Sequence, residues 1–184
     1  MLLAGCVLLL AAHLLTSRSG APPASPLVPA ASVTDIMHGL VAPRAQRVFE
    51  AVAVEATVDG ERVRAPGDDR EWEQLRADAL VLIESANLLH LDGRPVAAAH
   101  PDAPVAAAPH LRVRQLQRMI DLDRQRWRGH VQTLADAATW ALAAVEARNV
   151  WQLHSNAGDL ALACERCHLA YRFPGRRVVV AVPE

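Results

Sequence analysis

Five residues near the far end of the chain, Cys164-Glu165-Arg166-Cys167-His168, constrain it more than any other string in its 184 residues. Two thiols three apart, with an imidazole directly after the second, form the spacing at which a chain takes c-type haem covalently. Each thiol adds to one vinyl group, and the histidine offers a ring nitrogen to the iron. Such a reach asks for a helix. On a helix Cys164 and Cys167 share a face and His168 lies one turn beyond Cys164, so all three meet one flat ring. Other uses of a Cys-x-x-Cys pair fit less well. Zinc needs a fourth ligand, to be drawn from a scattered histidine. A thioredoxin-type pair needs βαβ context and a helix start, and the flanking residues offer neither.

The rest of the composition agrees with a helical frame. Apolar residues are 52% of the chain and aromatics only 4%, with alanine and leucine dominant, a mixture that favours helices over sheets. The formal net charge is −1, which gives no electrostatic case for nucleic acid or an anionic membrane as partner. All 19 basic residues are arginine, so a lysine nucleophile, Schiff base or phosphate-loop lysine is excluded. Three cysteines are too few for a disulfide scaffold, and the motif claims two of them.

Residues Leu2 to Leu15 form an apolar block followed by Thr16, Ser17, Arg18 and a Pro/Ala stretch. The block is shorter than the ~20 residues of a membrane span and suits a secretory signal core. Leu3-Ala4-Gly5-Cys6 has the look of a lipoprotein cleavage box, but it precedes the apolar block instead of following it, which argues against lipidation. Export to a bacterial periplasm is expected, with an uncleaved N-terminal membrane anchor as the alternative to cleavage. Residues 1–31 are therefore read as signal peptide or anchor plus linker, 32–175 as one helical domain, and 176–184 as a short tail.

Within the domain, the spacing predicts four helices. The first begins at Ser32 and Asp35, which have capping-box spacing, carries Val33, Met37, Leu40, Val41, Val48 and Val52 on one face, and is expected to kink at Pro43. Residues 59–69 read as a polar loop. The second helix opens at Asp68 or Asp69, with Glu71 in capping position, and closes at about His90 before Asp92-Gly93. The Pro/Ala-rich run from Arg94 to Pro109 reads as an irregular connection. A third, long helix is expected over Leu111 to Arg148. A fourth is capped by Asn149 and Gln152, runs to about Arg172, and is stopped by Pro174-Gly175. Four amphipathic helices imply an all-α, antiparallel four-helix bundle with covalent haem on the C-terminal helix. On that helix Val150, Leu153, Ala157, Ala161, Cys164, His168 and Tyr171 fall on one stripe, which turns the haem into the interior.

Cys164-x-x-Cys167-His168-x-x-Tyr171-Arg172 close to a C-terminus resembles the class II c-type cytochromes, the cytochrome c prime family and its low-spin relatives. Ile36-Met37-His38 followed by Val41, Pro43 and Val48-Phe49, the segment from Trp72 to Leu89, and Ala143 to Arg148 are similar to the same group. The likeness covers about residues 33–174; the leader, the Pro/Ala connection and the Val178 to Val182 tail depart from it. It implies one covalent haem c, a one-electron carrier with no substrate chemistry of its own, and redox partner proteins. Members of the group often pair as homodimers through their first two helices.

The sixth iron position decides the chemistry. Relatives with a methionine on the first helix bind iron on both faces and carry electrons; those without it leave the distal side open to nitric oxide or carbon monoxide. By the resemblance Met37 is the expected distal ligand. His38, about 100° around an α-helix, is the alternative, and core filling is the ordinary use of such a methionine. Arg172 matches the family arginine and is expected at a haem propionate. Arg44 falls within an apolar stripe, where a lone charge is costly, and is read either as a second propionate contact or as a side chain snorkelling outward. Tyr171 completes the cofactor-binding set. The run Arg112, Arg114, Arg118, Arg124, Arg126 and Arg128, interleaved with Asp121 and Asp123, reads as a solvated face in preference to a docking patch. Of the remaining histidines His154 lies nearest the haem stripe, and none has metal-site spacing.

Overall fold

The computed structural model describes residues 28–98, 102, 104–105 and 108–175. The leader and the tail after Gly175 lie outside the described residues, so the readings placed on them have no structural counterpart. What is described is mostly helical. Among the described residues no helix is long and apolar enough to cross a membrane.

The first helical segment contains three pieces: α1 (Val33–Ile36), a π-helical turn (Met37–Val41) and α2 (Ala42–Glu50). Ser32 caps α1 as its spacing predicts. Its hydroxyl accepts from the Asp35 amide while the Asp35 carboxylate accepts from the Ser32 amide at 2.9 Å. The bond from the Ser32 side chain, then that from its backbone, holds the Asp35 carboxyl below its usual range. The kink expected at Pro43 takes the form of the π turn. Pro43 cannot donate to the Gly39 carbonyl, so the helix widens just before it: the Ala42 amide reaches back to Met37, and the Arg44 guanidinium donates to the Gly39 oxygen at 2.6 Å.

An antiparallel hairpin follows, β1 (Ala53–Thr57) with β2 (Gly60–Arg64). It corrects the polar loop expected over residues 59–69. Val54, Thr57 and Val63 supply strand propensity, and Gly60, at φ 126°, admits the tight return. The hairpin is largely exposed, so it adds little to the core.

Helix α3 (Asp69–His90) is capped by Asp68, which accepts from the Glu71 amide at 2.8 Å. It ends at a turn in which Gly93 takes φ 75°. The Pro/Ala connection is less irregular than its composition suggests. It contains a second small antiparallel pair, β3 (Pro104–Val105) with β4 (Ala108–Arg112). The long third helix is two helices, α4 (Val113–Leu122) and α5 (Arg124–Glu146). Asp123 breaks the run, because its carboxylate takes the Arg126 amide at 2.9 Å and starts a new helix. Helix α6 (Val150–Tyr171) opens on Asn149, which accepts from the Gln152 amide at 3.0 Å, after a three-residue connection that folds it back along α5.

Helix α5 packs against both α3 and α6, and α2 against α3. Leu82, Ala79, Ala86, Ala138, Ala141, Ala144, Leu153 and Leu160 are essentially sealed from water. Asp78 is equally buried and takes both the Nε and the terminal nitrogen of Arg47, tying α3 to α2. Three of the six arginines in the run around α4 and α5 are ion-paired: Arg114 with Asp102, Arg124 with Asp121, and Arg128 with Asp92.

Candidate functional site

The last half of α6 faces a cavity of about 490 Å3. Its wall includes Cys164, Cys167 and His168, so the motif does turn inward as its helical phase requires. One residue of the predicted stripe does not follow. Ala161 is exposed, and the buried face passes instead through Leu160 and Ala163. Met37 and His38, both in the π turn, line the same cavity. The turn changes the geometry assumed for these two residues: a π segment advances less per residue than an α-helix, and both side chains reach the cavity, Met37 half-buried and His38 exposed at its edge.

Arg172 and Tyr171 also line the cavity; Arg44 does not. Its guanidinium is engaged with the Gly39 carbonyl across the turn, the consequence of the proline next to it. His154 is exposed and stands away from the cavity wall. Sequence reasoning passed over His130. It lines the cavity from α5, and its ring meets that of Tyr171 edge-on at 5.7 Å, beside Trp127 at 5.3 Å from the same tyrosine. Trp127, His130, Val131 and Leu134 recur at helical spacing around one face of α5, and that recurrence was the available signal.

Environment sets the chemistry of each group. Burial pushes the Cys164 thiol up; burial, then the neighbouring Cys164, pushes Cys167 up to about 12. Both are free cysteines. A redox-active Cys-x-x-Cys pair works by a depressed thiol pKa, and this pair is displaced the other way. Burial, then Arg172, lowers the His168 pKa, so its imidazole is neutral with a lone pair to donate. Among the described residues no group of three or more His, Cys, Asp or Glu side chains is placed to hold a metal ion by itself. The Tyr171 hydroxyl is buried and has no hydrogen-bond partner among the described residues, and burial is the first cause raising its pKa.

A haem fits this donor set. The volume falls within the ~300–1,000 Å3 of small-molecule and cofactor sites. The remaining wall is largely apolar, with Val41, Ala45, Phe49, Leu89 and Val131 among its residues. Two thiols, an imidazole and a thioether line the same space. A space of this size is more than packing defects leave, since native cores have few voids larger than a water molecule. No protein-family model matches the chain, and neither a curated protein nor a solved structure does.

Proposed function

We propose that the protein is an exported c-type cytochrome of the class II kind, an antiparallel four-helix bundle that carries one haem and passes single electrons between redox partners. The four members of the bundle are the segment from α1 through α2, and helices α3, α5 and α6. Cys164 and Cys167 hold the haem covalently, His168 supplies the proximal nitrogen, Met37 supplies the distal thioether, and Arg172 meets a propionate. When bound, the haem supplies a ferric/ferrous couple. The chain's own part is to seat it, shield it and present axial donors that need not move as the charge changes.

The observation that carries this reading is the meeting of Met37 with Cys164, Cys167 and His168 across one cavity, although they lie at opposite ends of the domain. A soft thioether opposite a neutral imidazole is a ligand pair known to favour the reduced state and electron transfer. The alternative is a five-coordinate haem protein that binds nitric oxide or carbon monoxide, with Met37 as wall only.

The test is spectroscopic. Protein made together with a haem-maturation system is expected to give a covalent pyridine haemochrome and, oxidised, the near-infrared methionine-to-iron band. Absence of covalent haem would overturn the whole reading. Covalent haem with a high-spin spectrum and ready carbon monoxide binding would move the assignment to the gas-binding alternative.

A further inference from the structure

Helix α1 is four residues long and runs directly into a π turn, so its own hydrogen-bond ladder supports it weakly. What holds it lies outside it. The strap that leaves α3 crosses the first turn of α1: the Val33 amide donates to the Pro95 carbonyl at 2.9 Å and the Thr34 amide to the Val96 carbonyl at 3.0 Å. These two amides are orphan donors at a helix start, and here strap carbonyls take them. The Thr34 hydroxyl donates to the same Val96 oxygen at 2.8 Å. In turn the Val96 amide donates to the Gln117 side chain at 2.8 Å, which fastens the strap to α4.

Arg94 anchors the start of the strap. It is only 4% exposed and has no carboxylate partner among the ion pairs of the described residues. Its Nε donates to the Leu88 carbonyl at 3.0 Å, at the C-terminal end of α3 where the helix dipole favours a cation. A terminal nitrogen donates to the Ala31 carbonyl, immediately before the Ser32 cap. One buried guanidinium thus bridges the end of α3 to the start of α1. Val96 and Ala97 of the strap line the same cavity as Val33, Thr34 and Met37.

We infer that Arg94, Thr34 and Gln117 are positioning residues: through the strap they fix α1 and so aim Met37 into the cavity, while Val96 closes that side of it to small ligands. The inference rests on the reading of Met37 as distal ligand. Without the strap, the four residues before the π turn keep the Ser32 cap and the buried Ile36 side chain but lose the hydrogen bonds that fix their first turn, and a flexible thioether at their end follows them.

Thr34→Val keeps the side-chain volume and removes one strap bond; Gln117→Leu removes another; Arg94→Leu removes the anchor. In the haem-loaded protein the near-infrared methionine band is expected to weaken in all three, and the ferrous carbon monoxide on-rate to rise about fivefold per lost bond. Thr34→Ser and Arg94→Lys should restore both signals in part. Where Arg94→Leu fails to fold, the two milder variants carry the test. A wild type with covalent haem but no methionine band overturns the distal-ligand reading itself, and the positioning role with it. A wild-type band that persists undiminished in Thr34→Val and Gln117→Leu, with an unchanged on-rate, overturns the positioning role alone.

Discussion

The two ends of the helical frame are built from the same helices and behave oppositely. At one end the second half of α5 brings Ala138, Ala141 and Ala144 between α3 and α6, all sealed. Small side chains let the backbones approach, and the core closes on itself. At the other end the first half of α5, the last half of α6 and the π turn carry Trp127, Leu134, Tyr171 and Met37, with Phe49 added from α2, yet they leave about 490 Å3 between them. Larger side chains would be expected to fill space. Here they stand around it, and Cys164, Cys167 and His168 face the gap. The closed end makes the frame, and the hollow end supplies the large apolar cavity.

The largest effect should come from denying the hollow end that occupant. In Cys164→Ala/Cys167→Ala, haem that co-migrates with the chain on a denaturing gel is expected to vanish. Without an occupant the largely apolar wall of the hollow end has nothing to pack against, so the expected state is loosely packed, with retained far-ultraviolet helicity and a broad thermal transition. A sharp, wild-type-like melt without haem would mean the hollow end is self-sufficient and the contrast false.

Next comes the closed end. Ala141→Leu forces a branched side chain into a site with no spare room and should cost about 3 kcal/mol, at the upper end for overpacking. The midpoint in guanidinium should fall while the haem spectrum stays unchanged. A change in the spectrum would show that the two ends are not separable. Met37→Ala inverts the pattern. The residue is half-buried, so truncation should cost about 2 kcal/mol, while the near-infrared band disappears and ferrous carbon monoxide binding begins.

The contrast also accounts for what could be read from the residues. The helix starts at Ser32, Asp68 and Asn149 were legible because a capping side chain acts within three residues. The inward turn of Cys164, Cys167 and His168 was legible because one helix carries them all. The break at Asp123 was hidden, since apolar spacing continues across it and only the carboxylate's bond to the Arg126 amide ends the helix. The placement of Arg44 was missed for a related reason. Pro43 was expected to kink the helix, but the carbonyl it leaves unmatched at Gly39 then claims the neighbouring guanidinium. The strap could not be seen at all. A buried arginine satisfied by carbonyls of Leu88 and Ala31 depends on tertiary approach, which no periodicity encodes. The part of the cavity wall that carries Cys164, Cys167 and His168 is therefore a local property of the sequence, and the part that carries Met37 is a long-range one.

His130 offers the smallest effect and the finest test of where the hollow end begins. Burial, then the neighbouring Arg126, lowers its pKa in the folded state. The unfolded chain then takes up a proton as pH falls through about 6.5 while the folded protein does not. Stability from this group is accordingly lost as pH drops below that value, and the loss stops once pH passes the lower, folded pKa. In His130→Gln the titration is gone. The denaturation midpoint of the variant should fall less than that of wild type between pH 7.5 and pH 5, with carboxylates contributing alike to both. An identical acid dependence in the two proteins would place the His130 ring in contact with water in solution, and the boundary of the hollow end would lie one helical turn further in, at Leu134.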